Sequence, residues 1–208
     1  SLLETYLGPR TGARVLGGDI RRGDGDEIDA AILFCDLRGS TRLEEEMERD
    51  AYVALLNHFF ETTSNIVHDH GGEVLKFIGD AVLAVFPAGD DPQTACAQAL
   101  AASRDIVSAL EAGAVTHDCA CSIGIAFGQV TYGNVGSQRR LDFTVIGQAA
   151  NVAARLCDHA KTVEYTILAS EDVAAADDNT TFIGQTPLHN VAKPVQCVGV
   201  HPHGPDTK

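Results

Sequence analysis

The run Asp29-Ala-Ala-Ile-Leu-Phe-Cys-Asp36-Leu37 is the strongest constraint on the fold. A continuous apolar stretch that stops at a carboxylate reads as a buried strand ending at the edge of a core. Around it, two kinds of periodicity alternate. TRLEEEMERD reads as a short polar helix with Ser40 or Thr41 as its N-cap. AYVALLNHFFETTSNIVHDH repeats apolar residues at helical spacing and stops at Gly71-Gly72, a C-terminal signal. EVLKF and AVLAVF read as two strands of a hairpin that turns at Ile78-Gly79-Asp80.

Farther along, TACAQALAASRDIVSAL reads as an Ala-rich helix, and CACSIGIAFGQVTYGNVG as two strands with turn glycines. FTVIG is short and extended, and QAANVAARLCDHA is a helix. TILAS, TTFIG and PVQCVGV are closing strands, with a small helix near Glu171. The order predicts an α+β fold with a mostly antiparallel sheet and helices on one face. Residues 1–28 read as a linker or lead-in, 29–202 as one domain, and 203–208 as a tail.

Composition narrows the function classes. With 29 Asp and Glu against 15 Lys and Arg, the net charge is −14, which argues against nucleic acid as a partner. It leaves room for a nucleotide, because divalent metals and a few local cations can hold a triphosphate. The six cysteines lie inside apolar runs and read as buried thiols of a reducing compartment, so a cytoplasmic location is expected. No stretch reaches the ~18 uninterrupted apolar residues of a membrane span. The sequence begins with Ser, which suits a fragment with an upstream regulatory domain outside it.

Asp36 ends a strand and Asp80 sits in a hairpin turn. If those strands are neighbours, the two carboxylates meet at one end of the sheet, a hard oxygen pair suited to Mg²⁺. Leu37-Arg38-Gly39-Ser40-Thr41 opens a helix whose backbone N–H groups suit phosphate oxygens. Asn151 and Arg155, four apart, share a helix face. The Arg fork suits phosphate, and Arg139 with Arg140 forms a second basic spot.

FCDLRGST, LKFIGDAVLAVF and DFTVIGQAANVAARL, in that order, resemble the three signature blocks of class III adenylyl and guanylyl cyclases. The resemblance runs from about Asp29 to Val200. It implies a ferredoxin-like βαββαβ core with extra C-terminal strands, and a head-to-tail homodimer with two shared active sites. It makes 29–202 the catalytic domain and implies conversion of ATP to 3′,5′-cyclic AMP and pyrophosphate with two divalent ions, Mg²⁺ or Mn²⁺.

By position, Asp36 and Asp80 match the metal-binding aspartates, and Leu37 the residue whose carbonyl joins them. Lys76 and Thr144 match the purine-selecting pair, and Arg139 a phosphate-contacting arginine. Asn151 matches the residue that orients the ribose, and Arg155 the one that stabilises the pentavalent phosphorus.

The departures are informative. Thr144 stands where many adenylyl cyclases have Asp, which resembles a subgroup that includes bicarbonate-responsive members and admits bicarbonate as an activator. Ser40 stands where many members have Phe. His189, rather than nearby Lys193, falls at the usual triphosphate-lysine position.

Three rival readings remain. A guanylyl cyclase is opposed by Lys76, whose donor suits adenine N1 and faces a donor in guanine. A diguanylate cyclase would carry its GG(D/E)EF motif at the hairpin, whereas here Gly71-Gly72-Glu73 precedes the strand and the turn is Ile-Gly-Asp. A catalytically weak module that binds nucleotide or bicarbonate would bind ATP without releasing pyrophosphate.

Overall fold

The computed structural model describes residues 12–13, 16–18, 25–113, 119–137 and 140–202. The apolar run of the first subsection is the greater part of β1 (Gly25–Leu37). It is followed by α1 (Ser40–Glu46), α2 (Arg49–Asp69), β2 (Glu73–Ile78), β3 (Ala81–Pro87) and α3 (Pro92–Gly113). Then come β4 (Cys121–Ser137), β5 (Arg140–Ile146), α4 (Gln148–Ala160), β6 (Ile167–Ser170), α5 (Glu171–Ala174), β7 (Thr180–Thr186) and β8 (Val195–Val200).

The strands form one eight-stranded sheet in the order β2-β3-β1-β4-β6-β8-β7, with β5 paired to β4 off that path. Only the β4–β6 pairing is parallel, as a crossover through α4 requires. The α+β class and the mostly antiparallel sheet therefore agree with the sequence. No described helix is long and apolar enough to cross a membrane, and all six cysteines are buried free thiols.

Three details differ from the sequence reading. The helices do not share one face. Ala31, Leu33 and Cys35 of β1 pack with Phe59 of α2 and Leu100 and Ile106 of α3. Ala30 and Ile32 pack instead with Val152, Ala153 and Leu156 of α4. Alternate residues of a strand face opposite ways, so an unbroken apolar run requires cover on both sides.

The second difference is β4, which is one strand of 17 residues rather than two. Its glycines permit close approach. A Cβ on Gly124 would lie 2.1 Å from the Ala153 carbonyl oxygen and 2.2 Å from the Cys157 nitrogen, so Gly124 lets α4 settle onto the sheet. One edge of β4 pairs with β1 from Gly25↔Gly133 to Leu37↔Cys121. The other edge takes β6 at Ile123–Ile125 and β5 at Thr131–Ser137.

The third is the cap of α1. Gly39, at φ 68°, is the N-cap and no side chain caps the helix; Ser40 is its first residue. The left-handed conformation is one that glycine adopts without the steric cost of a Cβ.

Candidate active site

The register places the two aspartates together. Asp36 is opposite Ala81 in the β1–β3 ladder, next to the turn that holds Asp80. Gly79 makes that turn at φ 62°, and the Leu37 N–H donates to the Asp80 carbonyl oxygen at 3.3 Å. The Asp36 side chain is only 16% exposed. Burial raises its pKa, the charge of Asp80 adds to this, and the Lys161 ammonium opposes both.

Lys161, at the C-cap of α4, donates to Asp36 Oδ2 and, at 3.2 Å, to Asp158 Oδ1. Partial burial alone would lower its pKa, but Asp36 and then Asp158 push it up to about 12. Asp36 Oδ1 is buried and meets no hydrogen-bond donor among the described residues. A buried acceptor without a donor, beside a second carboxylate, fits a divalent cation. No group of three or more His, Cys, Asp and Glu forms a metal cluster among the described residues. Mg²⁺ commonly keeps several waters beside one or two carboxylates.

Arg38 braces this corner. Its Nε donates to Ser122 Oγ at 2.6 Å and its Nη2 to the Ala160 carbonyl oxygen at 2.8 Å. It thereby ties the end of β1 to β4 and to the C-terminus of α4. Gly39, Ser40 and Thr41 follow at the surface, with Ser40 half-buried.

A second group gathers on β5. Phe143 and Val145 are buried in the α4-side core, so Asp142 and Thr144 point the other way. Lys76 of β2 donates to Asp142 Oδ2, in an ion pair between side chains 23% and 63% exposed. The Tyr132 hydroxyl donates to Glu73 Oε2 at 2.7 Å, a further link between β4 and β2. Together these contacts bring the Lys76 ammonium to the strand that carries Thr144.

The third group lies along α4. Ala149, Val152, Ala153, Leu156 and Ala160 face the sheet. Asn151, Arg155 and Asp158 occupy the outward face at spacings of four and three. Arg155 Nη1 lies 3.4 Å from Asp158 Oδ2.

The remaining site residues stand apart. His189 is exposed in the β7–β8 connection, next to buried Leu188. Among the described residues no hydrogen bond or ion pair ties it to Asp36 or Asp80. Arg139 and the side chain of Arg140 lie outside the described residues, as do residues 203–208.

The sequence model of the adenylate and guanylate cyclase catalytic domain matches residues 26–186. This chain belongs to that family. The uncharacterized protein MT1361 of Mycobacterium tuberculosis is 38% identical to this cyclase domain over 189 residues, covering 87% of this chain and 33% of that protein. The chain thus spans about a third of that relative's length.

Among solved structures, a bacterial light-regulated adenylyl cyclase superposes with a TM-score of 0.82 at 26% identity, covering 97% of this chain and 59% of that one. The guanylyl cyclase Cya2 gives 0.74 at 28% identity, covering 88% and 96%. The domain is therefore a nucleotide cyclase catalytic domain by family and fold, with both adenylyl and guanylyl cyclases similar to it.

Two residues of this cyclase domain escaped the sequence reading. Lys161 follows Asn151 and Arg155 on the same helix, and the spacing Arg155, Asp158, Lys161 is the signal that could have found it. Asp142 lies two residues before Thr144 and therefore on the same strand face.

Proposed function

We propose that two copies of this chain convert ATP to 3′,5′-cyclic AMP and pyrophosphate at two shared sites. The observation that carries the reading is the Lys76–Asp142 ion pair. It holds an ammonium donor beside Thr144, where adenine N1 needs a donor and its 6-amino group an acceptor.

Asp36, Asp80 and the Leu37 carbonyl would hold two divalent ions, Mg²⁺ or Mn²⁺. When bound, such ions neutralise triphosphate charge and lower the pKa of the ribose 3′-hydroxyl. Asn151 orients the ribose. The 3′-oxygen bonds to the α-phosphorus while the bond to the bridging oxygen breaks, pyrophosphate leaves, and the hydroxyl proton is released. Arg155 stabilises the charge that gathers on the phosphorus oxygens. The backbone of Gly39, Ser40 and Thr41, with Arg139 and His189, contacts the phosphates.

The shared-site arrangement is supported by the length of α4. Asn151 precedes Lys161, the residue in contact with Asp36, by ten positions, or about 15 Å at ~1.5 Å per helical residue. The ribose position and the metal carboxylates of one chain therefore suit different nucleotides. A two-fold dimer supplies each with its complement. Bicarbonate is proposed as an activator on the strength of Thr144.

A guanylyl cyclase is the second reading, since the guanylyl cyclase Cya2 and a further structure of a bacterial light-regulated adenylyl cyclase are each 28% identical to this chain. The test incubates purified protein with ATP or GTP plus Mg²⁺ or Mn²⁺, with and without bicarbonate, and identifies products by chromatography. Cyclic AMP, with kcat/KM for ATP at least about tenfold above that for GTP, is expected. Cyclic GMP from GTP at equal or greater efficiency would favour the second reading, and a cyclic dinucleotide would contradict both.

A further inference from the structure

Asp36 divides its carboxylate between two environments. Oδ2 accepts from the Lys161 ammonium, while Oδ1 is buried without a donor. A divalent ion drawn to this carboxylate meets a positive charge already seated on half of it. Like charges a few ångströms apart repel each other. The ammonium holds Oδ2 while the cation would take Oδ1, so both draw on one carboxylate charge.

Lys161 is placed to yield. Its backbone is fixed at the end of α4, where the Lys161 N–H donates to the Asp158 carbonyl oxygen at 3.2 Å. Cations are favoured beside the carbonyls of a helix C-terminus. Its side chain is a flexible four-carbon stem with three donors. Asp158 Oδ1, already 3.2 Å from Nζ, offers the ammonium a second partner 55% exposed to solvent. Leaving Asp36 does not strand the charge.

We propose that Lys161 is a positioning residue that competes with the divalent cation for Asp36 and withdraws onto Asp158 when the cation binds. The inference rests on the reading of Asp36 as a metal ligand. It assigns this domain a metal affinity set by a side chain that does not ligate the metal. The ammonium keeps the buried carboxylate paired, and it weakens binding of the cation.

The test is Mn²⁺ binding to the whole purified chain without nucleotide, read from the electron paramagnetic resonance signal of free Mn²⁺. Wild type, Lys161→Met, Lys161→Gln, Lys161→Arg and Asp36→Asn are compared after circular dichroism has checked their folding. Removing the charge should tighten Mn²⁺ binding by about tenfold in both neutral variants. Lys161→Arg, which retains the charge, should stay within about threefold of wild type. Unchanged or weaker binding in folded Lys161→Met and Lys161→Gln overturns the proposal, as does undetectable binding in these variants and wild type alike. Asp36→Asn separates the two layers: if it binds Mn²⁺ as tightly as wild type, the metal assignment of Asp36 itself is wrong.

Discussion

Lys76 on β2 and Asp142 on β5 form an ion pair although they are 66 positions apart in sequence. Asp142 is 63% exposed, so the pair contributes at most about 1 kcal/mol to stability. Its consequence lies in aim. It holds the ammonium at the strand that carries Thr144, and the other ammonium protons remain available to a base. Asp142→Asn should lower the ATP-to-GTP ratio of kcat/KM by about fivefold with little change in melting temperature. An unchanged ratio would leave the pair without a part in purine choice.

The carboxylates at the end of β1 and in the β2–β3 turn should govern turnover. Asp36→Ala and Asp80→Ala are each expected to lower kcat by ~10²-fold or more, the scale of losing one preorganised electrostatic group. Steady-state kinetics on folded variants checks this. Near-normal turnover in both would remove them from the chemistry.

Gly124 is where α4 comes closest to the sheet. Any side chain there meets the Ala153 carbonyl and the Cys157 nitrogen well inside contact distance. Both are backbone atoms and cannot rotate away. Gly124→Ala should therefore destabilise by at least about 2 kcal/mol, measured by urea denaturation, and should lower activity by displacing Asn151 and Arg155. Full stability in this variant would contradict the described packing.

Acid stability should depend on Asp177. Its burial raises the carboxyl pKa, but the Arg104 guanidinium and the Asn179 N–H outweigh that and hold it below the ordinary value. Arg104 Nη1 donates to Asp177 Oδ2, and the Asn179 N–H to Oδ1 at 2.7 Å. A depressed folded pKa gives stability that is present above the unfolded pKa of ~3.9 and is lost as pH falls through the folded value. Urea titrations between pH 2 and 6 should show wild type losing stability below about pH 4. The difference between wild type and Asp177→Asn should shrink over that same range. A constant difference would mean that Asp177 keeps an ordinary pKa.

Local signals were the legible ones. The apolar repeat of QAANVAARLCDHA matches α4 residue for residue, and Ile78-Gly79-Asp80 marks the hairpin turn because glycine supplies its positive φ. The glycines of β4 misled, since close approach and turning draw on the same residue. The second helical layer was implicit in the unbroken run of β1, which requires cover on both faces. Lys161 was hidden for another reason. Its partner Asp36 lies 125 positions away, and only the crossover from β4 through α4 to parallel β6 brings the end of that helix back to β1. Asp142 was hidden likewise, by the pairing of β5 with β4 and its approach to β2.

In the proposed dimer each active site borrows from two chains, with Asp36 and Asp80 from one and Lys76, Thr144, Asn151 and Arg155 from the other. Mixing is the direct test. Asp36→Ala and Arg155→Ala proteins, each nearly inactive alone, are combined under conditions of demonstrated subunit exchange and assayed for cyclic AMP. Half of the dimers are then mixed, and each carries one intact site of two, so activity should return to roughly a quarter of wild type. A mixture no more active than the separate variants would contradict the shared site.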